Sequence, residues 1–61
     1  MTLSDIEAIL LELGTRLRMG EPVAAADYYE ISILRDRWRV NPTAENWALV
    51  ESRAREAGYG G

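Results

Sequence analysis

The 61-residue sequence contains no cysteine, no histidine and no lysine. Without cysteine, disulfide bonds and thiolate metal sites are excluded. Histidine is the commonest transition-metal ligand and the commonest general base, so its absence removes both roles. Serine remains as a nucleophile, but none of the three serines has an evident activating partner in the sequence. We therefore expect no catalytic residues, no metal and no cofactor, and a protein that works by binding.

Long apolar runs are also missing. No apolar run exceeds four residues, as at 23–26, far short of the roughly 20 residues that span a bilayer. Residues 1–5 contain no basic side chain and no long apolar core, so they do not resemble a secretory signal. These features predict a cytoplasmic protein without contact to a membrane.

The length and hydrophobic content favour a single folded domain over residues 1–61. Hydrophobic residues make up 48% of the chain, which is too many for a disordered protein. A chain this short buries only about 60% of its unfolded surface. Its stability should therefore depend on close helix packing or on oligomerisation.

Gly20–Pro22 and Asn41–Pro42 divide the chain into three predicted helices, at about residues 4–19, 22–40 and 42–57. Ser4 with Glu7 has the spacing of a capping box. The first helix then carries apolar residues at helical spacing, namely Ile6, Ile9, Leu10, Leu13 and Leu17. Gly58 is expected to end the last helix, leaving residues 58–61 as a flexible tail.

A strand is the competing interpretation of the second segment, because Tyr29, Ile31 and Ile33 alternate with polar residues. Two strands would need a turn near residues 34–36, and Leu-Arg-Asp is a poor turn sequence. A helix is therefore predicted. Short connections favour antiparallel neighbours, so the expected all-α fold is a three-helix bundle or a helical hairpin with a third helix across it.

The second predicted helix is apolar on two opposite sides. One stripe consists of Ala24, Tyr28, Ile31, Leu34 and Trp38. The other consists of Ala26, Tyr29, Ile33 and Val40, with Arg37 at its border. Two readings remain open: the second stripe is an interface for another chain, or helices 1 and 3 of the same chain cover both stripes.

We favour the interface, so Ala26, Tyr29, Ile33, Arg37 and Val40 are the predicted partner-binding residues. The predicted function is a non-enzymatic protein–protein interaction module, an inhibitor or adaptor, that also forms a homodimer. Small, acidic helical chains without cysteine are typical of phage and bacterial accessory proteins, an association by size and composition. A structural subunit of a larger assembly is a further possibility.

All seven basic residues are arginines, and they cluster at 16–18, 35–39 and 53–55. Beside Trp38, the cluster of Arg35, Arg37 and Arg39 is compatible with a small DNA-binding or transcription-modulating protein. However, each cluster lies near the end of a predicted helix, where the helix dipole favours cations. The net charge of −3 also argues against nucleic-acid binding, for which a basic surface is expected.

Asp27 and Glu30 are three residues apart and share one side of the second predicted helix. Two carboxylates without a further ligand make a poor metal site. We expect them to form a solvated acidic edge.

Overall fold

The computed structural model describes residues 1–60 and contains three helices. Helix α1 spans Leu3–Arg18, α2 spans Val23–Val40 and α3 spans Ala44–Glu56. They pack as a small all-α three-helix bundle, which confirms the predicted fold class. The predicted helix bounds differ from the observed ones by one or two residues at each end, except that Val40 ends α2 as expected.

The N-cap of helix α1 lies two residues earlier than the predicted cap, Ser4. The N-cap is Thr2, whose hydroxyl accepts the Asp5 N–H at 3.2 Å while the Asp5 carboxylate accepts the Thr2 N–H at 2.8 Å. This reciprocal pair is the capping box, so the predicted pairing of Ser4 with Glu7 is wrong. Glu7 instead accepts a hydrogen bond from Arg35 of α2.

Helix α1 ends in a Schellman motif centred on Gly20. The N–H of Glu21 donates to the Arg16 carbonyl and the N–H of Gly20 donates to the Leu17 carbonyl, both at 3.1 Å. Gly20 has a φ of 90°, the left-handed conformation that this motif requires and that favours glycine. The motif turns the chain into α2 within four residues.

Helix α3 ends in the same motif, and this ties down part of the expected tail. The N–H of Tyr59 donates to the Ala54 carbonyl at 3.0 Å, and Gly58 donates to Arg55 at 2.9 Å. The Tyr59 hydroxyl also accepts a hydrogen bond from Arg16 at 3.0 Å, and its ring packs against the core. The expectation of a free tail from Gly58 onward is therefore wrong for Tyr59, and Gly61 lies outside the described residues.

Contacts between the helices set an antiparallel register. Near one end of the α1–α2 pair, Arg35 meets Glu7, and near the other the Tyr28 ring lies over Gly14. Helices α2 and α3 run antiparallel as well, because the end of α2 meets the start of α3 through Trp38 and Trp47. Helix α2 packs extensively against both neighbours, whereas α1 and α3 touch little. Helix α2 is therefore the central element of the bundle.

The core lies where the apolar sides of the three helices meet. Its buried members are Ile6, Ile9, Leu10, Leu13, Ala24, Ile31, Val50 and Ala54. The first stripe of α2 faces this core, and its larger members, Tyr28, Leu34 and Trp38, are partly buried against it. The predicted core sides of α1 and α2 are confirmed.

Candidate functional site

The second stripe of α2 is exposed to solvent. We call Ala26, Tyr29, Ile33, Arg37 and Val40 the outer face of α2. The exposed fraction is 58% for Tyr29, 57% for Ile33 and 87% for Val40, and Ala26 and Arg37 are exposed as well. The alternative in which helices 1 and 3 cover both stripes is therefore wrong for this chain.

The outer face stays uncovered because both neighbours approach α2 from one side. Ion pairs mark the two edges of that approach. Arg35 of α2 reaches Glu7 of α1 at 3.2 Å on one edge, and Glu30 of α2 pairs with Arg53 of α3 on the other. Within residues 1–60, no fourth element lies across the remaining side of the central helix.

Arg37 has no ion-pair or side-chain hydrogen-bond partner among residues 1–60. The neighbouring arginines differ from it: Arg35 pairs with Glu7 and Asp36, and Arg39 lies 3.7 Å from Glu7. Among residues 1–60, Arg37 is therefore a cation without a counter-ion on the outer face, one turn from Ile33.

Most other arginines lie beside carboxylates. Within residues 1–60, five of the seven lie within ion-pair distance of a carboxylate, namely Arg16, Arg35, Arg39, Arg53 and Arg55. Arg16 pairs with Glu21 across the turn, and not with Glu12 one turn before it as the i,i+4 spacing favours. The pKa of Arg16 is raised mainly by its hydrogen bond to Glu21 and, to a smaller extent, by its hydrogen bond to the Tyr59 hydroxyl.

Asp27 and Glu30 do not form the solvated acidic edge that their spacing predicts. Both are bound by Arg53, whose terminal nitrogen lies 2.6 Å from the Asp27 carboxylate. The Asp27 and Arg53 side chains are only 17% and 16% exposed, respectively. Hydrogen bonds from Arg53 to Glu30 and then to Asp27 raise the pKa of Arg53. This cluster fastens α3 to α2 along one border of the outer face.

A groove between α1 and α2 is a second surface, which the sequence reasoning did not identify. It has a volume of about 480 Å³, and its apolar lining is Leu10, Leu11, Gly14, Leu17 and Tyr28. Leu11 at its rim is 70% exposed. The position of Leu11, away from the core side of α1, was the available signal, but such isolated exposed residues are common on any protein surface.

A smaller groove of about 360 Å³ lies where the two chain ends meet. Met1, Ile9 and Tyr59 line it together with polar residues of α1 and α3. The N-terminal ammonium group lies 3.2 Å from Glu51, which holds the start of the chain against α3.

Residues 1–60 contain no cluster of three or more acidic, histidine or cysteine side chains placed to hold a metal ion. Within the same range, no helix combines the length and the apolar character needed to cross a bilayer.

No family model matches this chain, and no match was found among the curated proteins or among the solved structures.

Proposed function

We propose that the chain is a non-enzymatic protein–protein interaction module that uses the outer face of α2 as its contact surface. It acts by occupying the surface of another protein chain, in the manner of an inhibitor or adaptor. The observation that carries the proposal is the exposure of the outer face. Its residues recur every three or four positions, and they are exposed along nearly the whole length of the central helix.

The composition of the outer face supports this proposal. Tyrosine and arginine are enriched at protein interfaces, and contact surfaces combine an apolar centre with a polar rim. Here Tyr29, Ile33 and Val40 supply the apolar centre, and Glu30 and Arg37 border it. An amphipathic helix that presents side chains at this spacing is a recurrent mode of recognition.

The pairing of the arginines favours a protein partner over a nucleic acid. Within residues 1–60, five of the seven already lie within ion-pair distance of a carboxylate, and the net charge is −3. Nucleic-acid binding depends on cations free to contact phosphates, and it weakens steeply as the salt concentration rises. Contact through an apolar face has little such dependence, so salt titration separates the two functions.

Photocrosslinking tests the contact surface directly. p-Benzoylphenylalanine has nearly the shape of a tyrosine side chain, so it is placed at Tyr29, and a matched control carries it at the exposed Ser52 of α3. Each of the two crosslinker variants is expressed with and without the additional substitution Ile33→Arg, in cells that naturally produce the chain. We expect adducts from position 29 that Ile33→Arg removes, and no corresponding adducts from position 52.

Two results would overturn the proposal. One is that position 29 yields no adduct beyond those of position 52. The other is that the adducts persist unchanged with Ile33→Arg while circular dichroism shows an intact helical fold. Mass spectrometry of the adducts distinguishes a second copy of the chain from a different protein.

A further inference from the structure

We infer that the occupant of the outer face is a second copy of this chain, with the two α2 helices packed antiparallel about a two-fold axis at Ile33. This inference rests on the proposed function and names its partner. It is carried by a symmetry in the placement of the exposed residues around Ile33.

The outer face is self-complementary when one copy is reversed. Ala26 and Val40 each lie seven residues from Ile33, and Tyr29 and Arg37 each lie four residues from it. An antiparallel two-fold contact therefore sets Val40 against the partner's Ala26, large against small, and Tyr29 against the partner's Arg37. An arginine over an aromatic ring is a favourable cation–π contact, and a two-fold interface requires this reciprocity.

Charge complementarity selects the same arrangement. Glu30 and Arg37 lie seven residues apart on one edge of α2, about 10 Å along the axis at 1.5 Å per residue. In an antiparallel pair, each edge meets the same edge of the other helix. Glu30 thus lies beside the partner's Arg37, and the two-fold axis generates the pair twice. Arg37, which lacks an ion pair within residues 1–60, gains one in the dimer. Each Glu30 then lies between Arg53 of its own chain and the Arg37 side chain of the other copy.

A parallel arrangement lacks this complementarity. With the two chains parallel, each edge of α2 would meet the opposite edge of the partner helix. Arg37 would then lie beside the partner's Asp36, and Glu30 would have no arginine of the partner beside it. The reciprocal pairing of Glu30 with the partner's Arg37 therefore belongs to the antiparallel arrangement alone.

The contact also extends beyond a single helix. Leu49 is 48% exposed, and its i,i+4 spacing places it on the side of α3 that carries Arg53. This side adjoins the edge of Glu30 and Arg37. A stable dimer buries about 800 Å² per subunit, roughly a fifth of the 3976 Å² that the chain exposes.

The test is solution mass by light scattering and sedimentation across a hundredfold range of concentration, using the full chain. We expect a dimer for the wild type and at least a hundredfold rise in its Kd with Ile33→Arg. Leu11→Arg is the matched control, because it adds the same side chain to an exposed site on α1. We expect it to leave the dimer intact. Circular dichroism shows whether each variant is folded.

Charge reversal tests the orientation. Arg37→Glu alone and Glu30→Arg alone each replace two attractive contacts by repulsive ones, and each should raise the Kd about tenfold. An equimolar mixture of the two variants should form a heterodimer tighter than either homodimer. That rescue depends on the residue 30–residue 37 pairing, which only the antiparallel arrangement contains.

Each outcome separates this inference from the proposed function. A wild type that stays monomeric overturns the self-association. The proposed function would still hold if position 29 crosslinks to a different protein in an Ile33-dependent way. A dimer that Ile33→Arg leaves unchanged overturns the use of the outer face for self-association. A dimer that Ile33→Arg disrupts, but that the mixed variants do not restore, overturns the antiparallel pairing.

Discussion

The indole ring of Trp38 lies against that of Trp47, with 4.9 Å between the ring centroids and 58° between the ring planes. The pair joins the last turn of α2 to the first turn of α3, on either side of the turn at Pro42. Both rings are partly buried against the core. They therefore hold in place the helix hairpin whose other side presents the outer face.

Trp47→Ala should destabilise the fold markedly. Removing a large aromatic from a core costs about 3–5 kcal/mol, and a partly exposed ring should cost about 2–3 kcal/mol. A domain of this size has only roughly 3–9 kcal/mol in total. Urea denaturation followed by far-ultraviolet circular dichroism measures the change. Trp47→Phe keeps an aromatic contact, so it should cost clearly less, and equal losses would contradict this account of the ring pair.

Arg53→Met should destabilise the bundle more than Glu30→Gln does. Asp27 is mostly buried, and losing Arg53 leaves its carboxylate without its cation. The expected cost is about 1–2 kcal/mol, less than for a fully enclosed pair because water reaches this site. Glu30 is 58% exposed and should contribute less than about 1 kcal/mol. Adding Asp27→Asn to Arg53→Met should recover part of the loss. Full additivity of the two changes would show that the pair is not coupled.

The Thr2–Asp5 capping box predicts a pH dependence. The Thr2 backbone N–H, and then the Thr2 hydroxyl, lower the pKa of Asp5 in the folded chain. A lowered folded-state pKa means that Asp5 contributes stability above its unfolded pKa, and that this contribution is lost as the pH falls through the folded value. Wild type should therefore be more stable than Asp5→Asn at about pH 7, and the difference should shrink as the pH is lowered below about 4. A pH-independent difference would contradict this role.

Gly14→Ala should stabilise the chain. Glycine inside a helix costs up to about 1 kcal/mol relative to alanine. A Cβ atom at position 14 would lie 3.4 Å from the Tyr28 ring, an ordinary contact. We expect a gain of about 0.5–1 kcal/mol, seen as a rise in Tm of about 4 °C or more. Gly20→Ala is the matched control, and it should lower the Tm because its φ of 90° disfavours a side chain. A fall in Tm with Gly14→Ala would mean that Tyr28 cannot accommodate the methyl group.

Local patterns in the sequence were sufficient to predict the three helices. Apolar residues at a 3.6-residue period and the glycine–proline and asparagine–proline breaks act over a few neighbours, so they can be read without the fold. The same patterns identified the buried side of α1 and the two apolar sides of α2. They were less reliable at the helix ends, where Thr2–Asp5 and Ser4–Glu7 have the same spacing and compete. Gly58 followed by Tyr59 is compatible both with a Schellman motif and with a flexible tail, and only the packing of the Tyr59 ring distinguishes them.

The two apolar stripes of α2 were likewise determined by the sequence, because side-chain direction on a helix follows from position alone. Which stripe the chain buries was decided only by the tertiary structure. Helices α1 and α3 both settle on the side of Ala24 and Ile31, leaving Tyr29, Ile33 and Val40 exposed. The pairing of the charges was decided there too: Arg53 meets Asp27 and Glu30 across 26 and 23 residues, whereas Arg37 meets no carboxylate within residues 1–60. Such contacts depend on where distant helices come together, and no local pattern encodes that placement.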